Sequence, residues 1–138
     1  MKLQSDVEKA YREALKARTH SYSPYSKFAV GAALKVRGEE VAVAGCNVEN
    51  ASFGATICAE RVALGAAVAR KGRLQPEFMV IVTGEEQATV PCALCLQMIA
   101  EFCPDDFAIY SANEKAVLKK FLLKDLLPHP FRQFEPGQ

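Results

Sequence analysis

The fold follows from residues 78–82, which read Phe78-Met79-Val80-Ile81-Val82. This continuous apolar run is short enough to be a β-strand buried on both faces. Segments of helical period flank it: one runs from Thr56 to a capping Gly72, and the other starts at Pro91, in a first-turn position, and reaches about Phe102. Helices between strands predict right-handed crossovers and parallel pairing.

The segments before this unit predict a helix and a β-hairpin. Residues 5–8, Ser-Asp-Val-Glu, have the form of a capping box and open an amphipathic helix that ends near Arg18. After a loop at residues 21–26, an alternating strand runs from Phe28 to Val36, and the chain turns and returns from Val41 to Cys46.

The segments after the second helix predict two more strands. One covers Phe107 to Ser111, and residues 115–127 add a last strand and a short helix before an irregular tail. The whole pattern predicts an α/β fold in which helices pack on a mixed sheet.

Composition limits the classes of protein that fit. The chain has 138 residues, of which 50% are hydrophobic, and a formal net charge of +1. We expect one domain over residues 1–138, without the basic face that a nucleic-acid binder needs. The sequence has no run of about eighteen apolar residues and no signal-like amino terminus, so we expect a soluble, cytoplasmic protein without a membrane partner.

Three cysteines have the spacing of a metal site. Cys92 and Cys95 form a Cys-x-x-Cys at one predicted helix start, and Cys58 lies at the start of the other. Zinc prefers four tetrahedral ligands, so a site with three protein ligands leaves the fourth position to water, as in catalytic zinc sites. Glu60 is placed to move a proton beside that water, and Arg61 to offset the excess negative charge.

A structural zinc site is the non-enzymatic alternative, and it would require a fourth protein ligand. The chain offers four candidates, none at ligand spacing from the three cysteines: His20, His129, Cys46 and Cys103. An odd number of cysteines, five, fits reduced thiols better than a disulfide framework.

The motifs resemble those of the small, homotetrameric-type cytidine deaminases. The match covers the whole chain: residues 23–28 (Ser-Pro-Tyr-Ser-Lys-Phe), 31–33 (Gly-Ala-Ala), 47–54 (Asn-Val-Glu-Asn-Ala-Ser-Phe-Gly), 56–61 (Thr-Ile-Cys-Ala-Glu-Arg), Pro91 to Cys95 and 126–128 (Leu-Leu-Pro). The resemblance implies a three-layer α-β-α sandwich with a mixed five-stranded sheet and helices on both faces. It also implies deamination of cytidine and 2′-deoxycytidine by zinc-activated water in pyrimidine salvage.

The resemblance also implies roles for individual residues. Cys58, Cys92 and Cys95 would bind one Zn²⁺ per subunit, and Glu60 would carry protons. Substrate contacts would come from Phe28 on the pyrimidine, Asn47 and Glu49 on the ribose hydroxyls, Ala59, and an aromatic near the carboxyl end, Phe131. From the residues alone, Phe28 would be a core residue of its strand, and Asn47 and Glu49 would belong to a turn.

Two expectations remain open at this stage. The family's Pro-Cys-Gly-Ala-Cys-Arg-Gln run here carries Ala93, Leu94 and Leu96, so Leu94 is expected to reshape the pocket edge and a cation is lost. A modified or antibiotic cytosine nucleoside is therefore an alternative substrate. The family's assembly implies a homotetramer in which residues 51–53 of one subunit serve a neighbouring site.

Overall fold

The computed structural model describes residues 4–132. Its strands are β1 (Gly31–Val36), β2 (Val43–Cys46), β3 (Pro76–Val82), β4 (Ala108–Ala112) and β5 (Val117–Leu122). Its helices are α1 (Ser5–Arg18), α2 (Ala59–Lys71), α3 (Ala93–Phe102) and α4 (Leu123–Leu126), with a 3₁₀ turn at Phe53–Ala55.

The five strands form one mixed sheet in the order β2-β1-β3-β4-β5. β1 pairs antiparallel with both β2 and β3, β3 pairs parallel with β4, and β4 pairs antiparallel with β5. The predicted parallel pairing is therefore confirmed across α3. Across α2 the two strands run in the same direction but are not neighbours, because β1 lies between them.

Helices cover both faces of the sheet, which confirms the three-layer sandwich. Alternate residues of each strand point to opposite faces. Leu34, Met79 and Ile109 pack in one core with α2, α3 and α4, whereas Ala33 and Val80 pack against α1 on the other face. Among residues 4–132, no helix combines the length and the apolar character needed to cross a membrane.

One predicted helix cap and two predicted element starts were wrong, although α1 begins at Ser5 as expected. Gln4 is the N-cap of α1, and the cap makes no side-chain hydrogen bond, so residues 5–8 are not a working capping box. Pro91 lies ahead of the α3 N-cap, Cys92, and not in the first turn. β1 begins at Gly31, so Phe28 lies in a loop and not in the strand core.

α2 also begins later than its periodicity suggests. Ile57 exchanges both backbone hydrogen bonds with Val48, at 2.9 Å each, and this bridge keeps the chain extended up to Cys58. The helix then runs from Ala59 to Lys71 and ends at Gly72, whose φ of 70° confirms the predicted glycine cap. The bridge fixes where Cys58 enters the helix.

Gly45 allows β2 and α2 to pack closely. A methyl group at this position is expected to disrupt that packing and destabilise the fold. A Cβ at Gly45 would lie 2.6 Å from the Ala63 nitrogen and 2.8 Å from the Ala59 oxygen. Gly45→Ala should therefore lower the free energy of unfolding by about 3 kcal/mol, because helix backbone must shift.

Gly65→Ala is the matched control on the same helix. An added Cβ at Gly65 meets nothing within 4 Å, so alanine should stabilise α2 by about 1 kcal/mol. Urea unfolding of both variants measures the difference. Equal stability of Gly45→Ala and the original chain would contradict the close packing.

Candidate active site

The two predicted helix starts bring three thiols together. Cys58 and Cys92 are the N-caps of α2 and α3, and Cys95 lies in the first turn of α3. The sulfur of Cys92 lies 3.8 Å from that of Cys58 and 3.4 Å from that of Cys95, and all three sulfurs lie within 4.8 Å of one another. Tetrahedral zinc, with Zn–S bonds near 2.3 Å, requires sulfurs about 3.8 Å apart. The donor set therefore fits zinc.

Among the described residues, three side chains form the metal-binding group. Within the described residues, neither His20, His129, Cys46 nor Cys103 joins it. The alternative of a closed structural site therefore lacks its fourth ligand over residues 4–132. Three protein ligands with one open position are the pattern of a catalytic zinc site.

Arg61 lies beside the thiols, as its sequence position predicts. Its Nη2 is 3.7 Å from the Cys58 sulfur and 3.5 Å from the Thr56 carbonyl oxygen. The pKa of the Cys58 thiol is lowered to about 5, first by a hydrogen bond with Cys95 and further by Arg61. That bond with Cys58 also raises the pKa of the Cys95 thiol. A cation that binds both sulfurs must therefore displace the proton that Cys58 and Cys95 share.

Glu60 is a buried carboxyl group next to the thiols but outside the three-sulfur group. Its exposed fraction is 5%. Burial raises the pKa of Glu60 above its ordinary value, and the negative charge of Cys58 raises it further. A carboxyl group whose pKa is moved toward neutrality can both accept and return a proton.

A cavity of about 410 Å³ has Cys58, Cys92 and Glu60 in its wall. This volume lies in the range of small-ligand sites. The rest of the wall consists of Ser26, Phe28, Val30, Asn47, Glu49, Thr56, Ala59, Ile81, Thr83, Thr89 and Val90. Apart from Arg61 and Phe131, every site residue expected from the sequence either lines this cavity or belongs to the sulfur group.

Asn47 follows β2 directly and is largely committed to bonds within the chain. Its Oδ1 accepts from the Val30 N–H at 2.9 Å and from the Ser21 hydroxyl, and its Nδ2 donates to the Phe28 carbonyl at 2.7 Å. One Nδ2 hydrogen remains for a ligand, since an amide nitrogen carries two. Asn47 therefore supports the loop at residues 28–30 and can still donate to a ligand.

Glu49 holds the neighbouring part of the same loop. Its Oε1 accepts from the backbone N–H groups of Tyr25 at 2.9 Å and Ser26 at 3.1 Å, and its Oε2 accepts from the Ser26 hydroxyl. The hydrogen bond from the Ser26 hydroxyl is the main reason why the pKa of Glu49 is lowered. The carboxylate is therefore charged at neutral pH and keeps lone pairs for a ligand hydroxyl.

The two aromatic candidates have different positions. Phe28 lines the cavity and is 38% exposed, so it is available to the flat face of a ligand. Phe131 is 64% exposed and does not line this cavity; its carbonyl accepts a hydrogen bond from Gln97 on α3 at 2.6 Å. Of the two aromatic candidates, only Phe28 therefore lines the cavity of the single chain.

The residues that depart from the family's cysteine motif do not line the cavity. Leu96 is 7% exposed and packs in the apolar core, where an arginine would be desolvated. Leu94 is 67% exposed and is not in the cavity wall, so its predicted effect on the pocket edge is wrong for the single chain. The cavity wall itself is free of the three substitutions.

Sequence reasoning missed the apolar and hydroxyl wall of the cavity. Thr83 directly follows β3, and Thr89 and Val90 lie in the connection from β3 to α3. Ligands of open α/β sheets bind beyond the carboxyl ends of the strands. Applied to residues 78–82, that rule would have drawn attention to this connection.

Comparisons with known proteins point in one direction. The family model described as "Cytidine and deoxycytidylate deaminase zinc-binding region" matches residues 4–111. A Halalkalibacterium halodurans protein named cytidine deaminase is 39% identical over 126 residues, which cover 91% of this chain and 94% of that protein. The crystal structure of cytidine deaminase from Burkholderia pseudomallei aligns with a TM-score of 0.84 at 33% identity, covering 93% of this chain and 100% of that chain. A blasticidin-S deaminase of Bacillus cereus is 28% identical over 113 residues, covering 75% of this chain and 76% of that protein.

Proposed function

Because the chain belongs to the cytidine and deoxycytidylate deaminase family, we propose that it hydrolyses cytidine and 2′-deoxycytidine to uridine and 2′-deoxyuridine with release of ammonia. The observation that carries this proposal is one cavity with a three-thiol metal group and a buried carboxyl group in its wall. A reaction that adds water and expels ammonia needs both groups beside the same ring carbon.

The cofactor is zinc, and we assign Cys58, Cys92 and Cys95 as its ligands. When bound in this three-thiolate site, zinc lowers the pKa of a water in its open position toward neutrality. Arg61 and the two helix N-termini supply positive charge that offsets the thiolates. One ion per subunit accounts for the whole donor set.

Glu60 is the proposed proton carrier. It accepts a proton from the attacking water and delivers it to ring N3 as the new C4–O bond forms. It then takes the remaining proton of that oxygen to the amino group, the C4–N bond breaks, and ammonia leaves as the C4 carbonyl forms. Burial of the carboxyl group keeps bulk water from exchanging these protons.

The remaining assignments position the nucleoside. Phe28 packs on the pyrimidine face, and the ribose hydroxyls bind the free Nδ2 hydrogen of Asn47 and the carboxylate of Glu49. Ala59 lines the cavity at the start of α2. The Ala59 N–H lacks a partner within the helix, so we propose that it donates a hydrogen bond to the carbonyl oxygen of the base.

Two further parts of the proposal concern the protein outside its own cavity. We propose a homotetramer, in which residues 51–53, with Phe53, reach the active site of a neighbouring subunit. Phe131 lies near an active site of this assembly. Support comes from exposed apolar side chains that contact one another or are bridged through the backbone, in segments that also supply cavity-lining residues: Tyr22, Tyr25, Val48, Phe53 and Ile57. A cytoplasmic location and a single domain over residues 1–138 remain predictions from the sequence.

A substrate panel tests the choice of nucleoside. Cytidine and 2′-deoxycytidine should be turned over, and free cytosine should react at least about a hundredfold more slowly, because the ribose-binding groups are then left unpaired. Initial rates measured by ultraviolet absorbance compare the three, with blasticidin S as the competing substrate. Preference for blasticidin S would establish the antibiotic alternative, which the 28% identical relative represents.

A further inference from the structure

Phe28 depends on side chains for its position. Phe28 and Val30 both line the cavity, yet β1 begins only at Gly31, so strand pairing does not hold Phe28 or Ala29. Asn47 binds the Phe28 carbonyl and the Val30 N–H on either side of Ala29. The carbonyl of Ala29 between them is left for a different partner.

The loop also needs support because its backbone is strained. Lys27, next to Phe28, has a φ of 59°. This left-handed conformation is unfavourable for a residue with a Cβ and persists only where the surroundings hold it. Contacts around residues 27–30 therefore fix a conformation that the chain would not adopt alone.

Arg18, the last residue of α1, supplies the missing contact. Its Nε donates to the Ala29 carbonyl at 2.9 Å, and its Nη1 pairs with Glu114. The Arg18 side chain is 19% exposed, against 63% for Glu114. The bond to Ala29 is thus the more buried of the two contacts.

Two glycines lie close to Arg18, one beside its backbone and one beside its guanidinium. A Cβ at Gly84 would lie 2.8 Å from the Arg18 Nη2, and a Cβ at Gly31 would lie 2.7 Å from the Arg18 backbone nitrogen. Glycines at the start of β1 and just beyond β3 therefore make room for this residue. A planar guanidinium can bind Ala29 and Glu114 in two directions at once, which a lysine ammonium on a flexible stem does not reproduce.

We propose that Arg18 is a positioning residue for nucleoside binding, which holds the Ala29 carbonyl from the α1 side and thereby fixes Phe28 in the cavity wall. This inference rests on the proposed function, in which Phe28 packs against the pyrimidine. Asn47, Glu49 and Arg18 then hold one loop from three directions. Arg18 lies outside the cavity wall and acts on the ligand only through Phe28.

Arg18→Lys tests the proposal with Glu114→Gln as the matched control. Arg18→Lys keeps a positive charge for Glu114 but loses the Nε donor. It should raise KM for cytidine about tenfold and change kcat less than about threefold, since a hydrogen bond to a charged group is lost without touching the reacting atoms. Glu114→Gln should leave both constants near those of the original chain. Arg18→Gln, which removes the charge, should repeat the rise in KM if Arg18→Lys folds poorly.

Hydrogen exchange gives a readout that does not need activity. Amides at residues 28–30 should exchange at least about tenfold faster in Arg18→Lys than in Glu114→Gln, because the loop is released locally. An unchanged KM and unchanged exchange would overturn the positioning role. A loss of kcat as large as the rise in KM, together with loss of zinc or a lower melting temperature, would also overturn it. That result would indicate a general structural role. If the unmodified chain leaves cytidine intact, the proposed function fails and the exchange data alone decide the role of Arg18.

Discussion

Glu60→Gln is expected to lower kcat for cytidine by about 10³-fold while the protein keeps its zinc and its fold. The amide has nearly the same shape as the carboxyl group but cannot carry a proton between water, N3 and the leaving amine. Because Glu60 is buried and outside the sulfur group, its replacement removes no metal ligand. Steady-state kinetics and metal analysis of the purified variant measure both expectations.

Glu101→Gln provides the control for a lost carboxylate. Glu101 is an exposed residue of α3, the helix that begins at Cys92. It should retain the activity of the original chain within about twofold, as expected for a surface change away from the site. A Glu60→Gln protein that stays within tenfold of the original kcat would show that a different group carries the proton.

Cys92→Ala is expected to remove zinc and activity together. The variant keeps two sulfur ligands of three, and a metal held by Cys58 and Cys95 alone binds far more weakly. The zinc content should fall from about one ion per chain to less than about a tenth after dialysis. Atomic absorption and the rate of cytidine loss, measured on the same sample, follow the two properties.

Cys46→Ala is the control for a lost thiol. Cys46 ends β2, is partly exposed and lies outside the sulfur group. It should keep both zinc and turnover. Zinc retained by Cys92→Ala, or lost from Cys46→Ala, would place the metal elsewhere than at the two helix starts.

Local signals in the sequence predicted most of the fold and the metal site. The apolar run at residues 78–82 lies within β3, which starts two residues earlier at Pro76, and both helices that flank it exist. The Cys-x-x-Cys spacing and the single Cys58 predicted the sulfur group because helix starts place their first residues at one edge of the sheet. Glu60 follows from Cys58 by two positions within the same helical turn.

The loop around Phe28 could not be predicted in the same way. Its contacts join residues far apart in the chain: Arg18 with Ala29, Asn47 with Phe28, and Glu49 with Ser26. None of these pairs follows a helical or strand period, so the alternating pattern extended the strand too early. The late start of α2 has a similar cause, since the backbone bonds between Val48 and Ile57 override the helical period.

Hydrolysis of the cytidine amino group at a three-thiol zinc site can be tested directly. The most direct measurement follows uridine and ammonia formed from cytidine by the zinc-loaded protein, beside the same protein stripped of metal. We expect one ammonia for each uridine, activity lost on stripping, and activity restored by zinc. Zinc-loaded protein that leaves cytidine unchanged, or equal activity with and without metal, would contradict it.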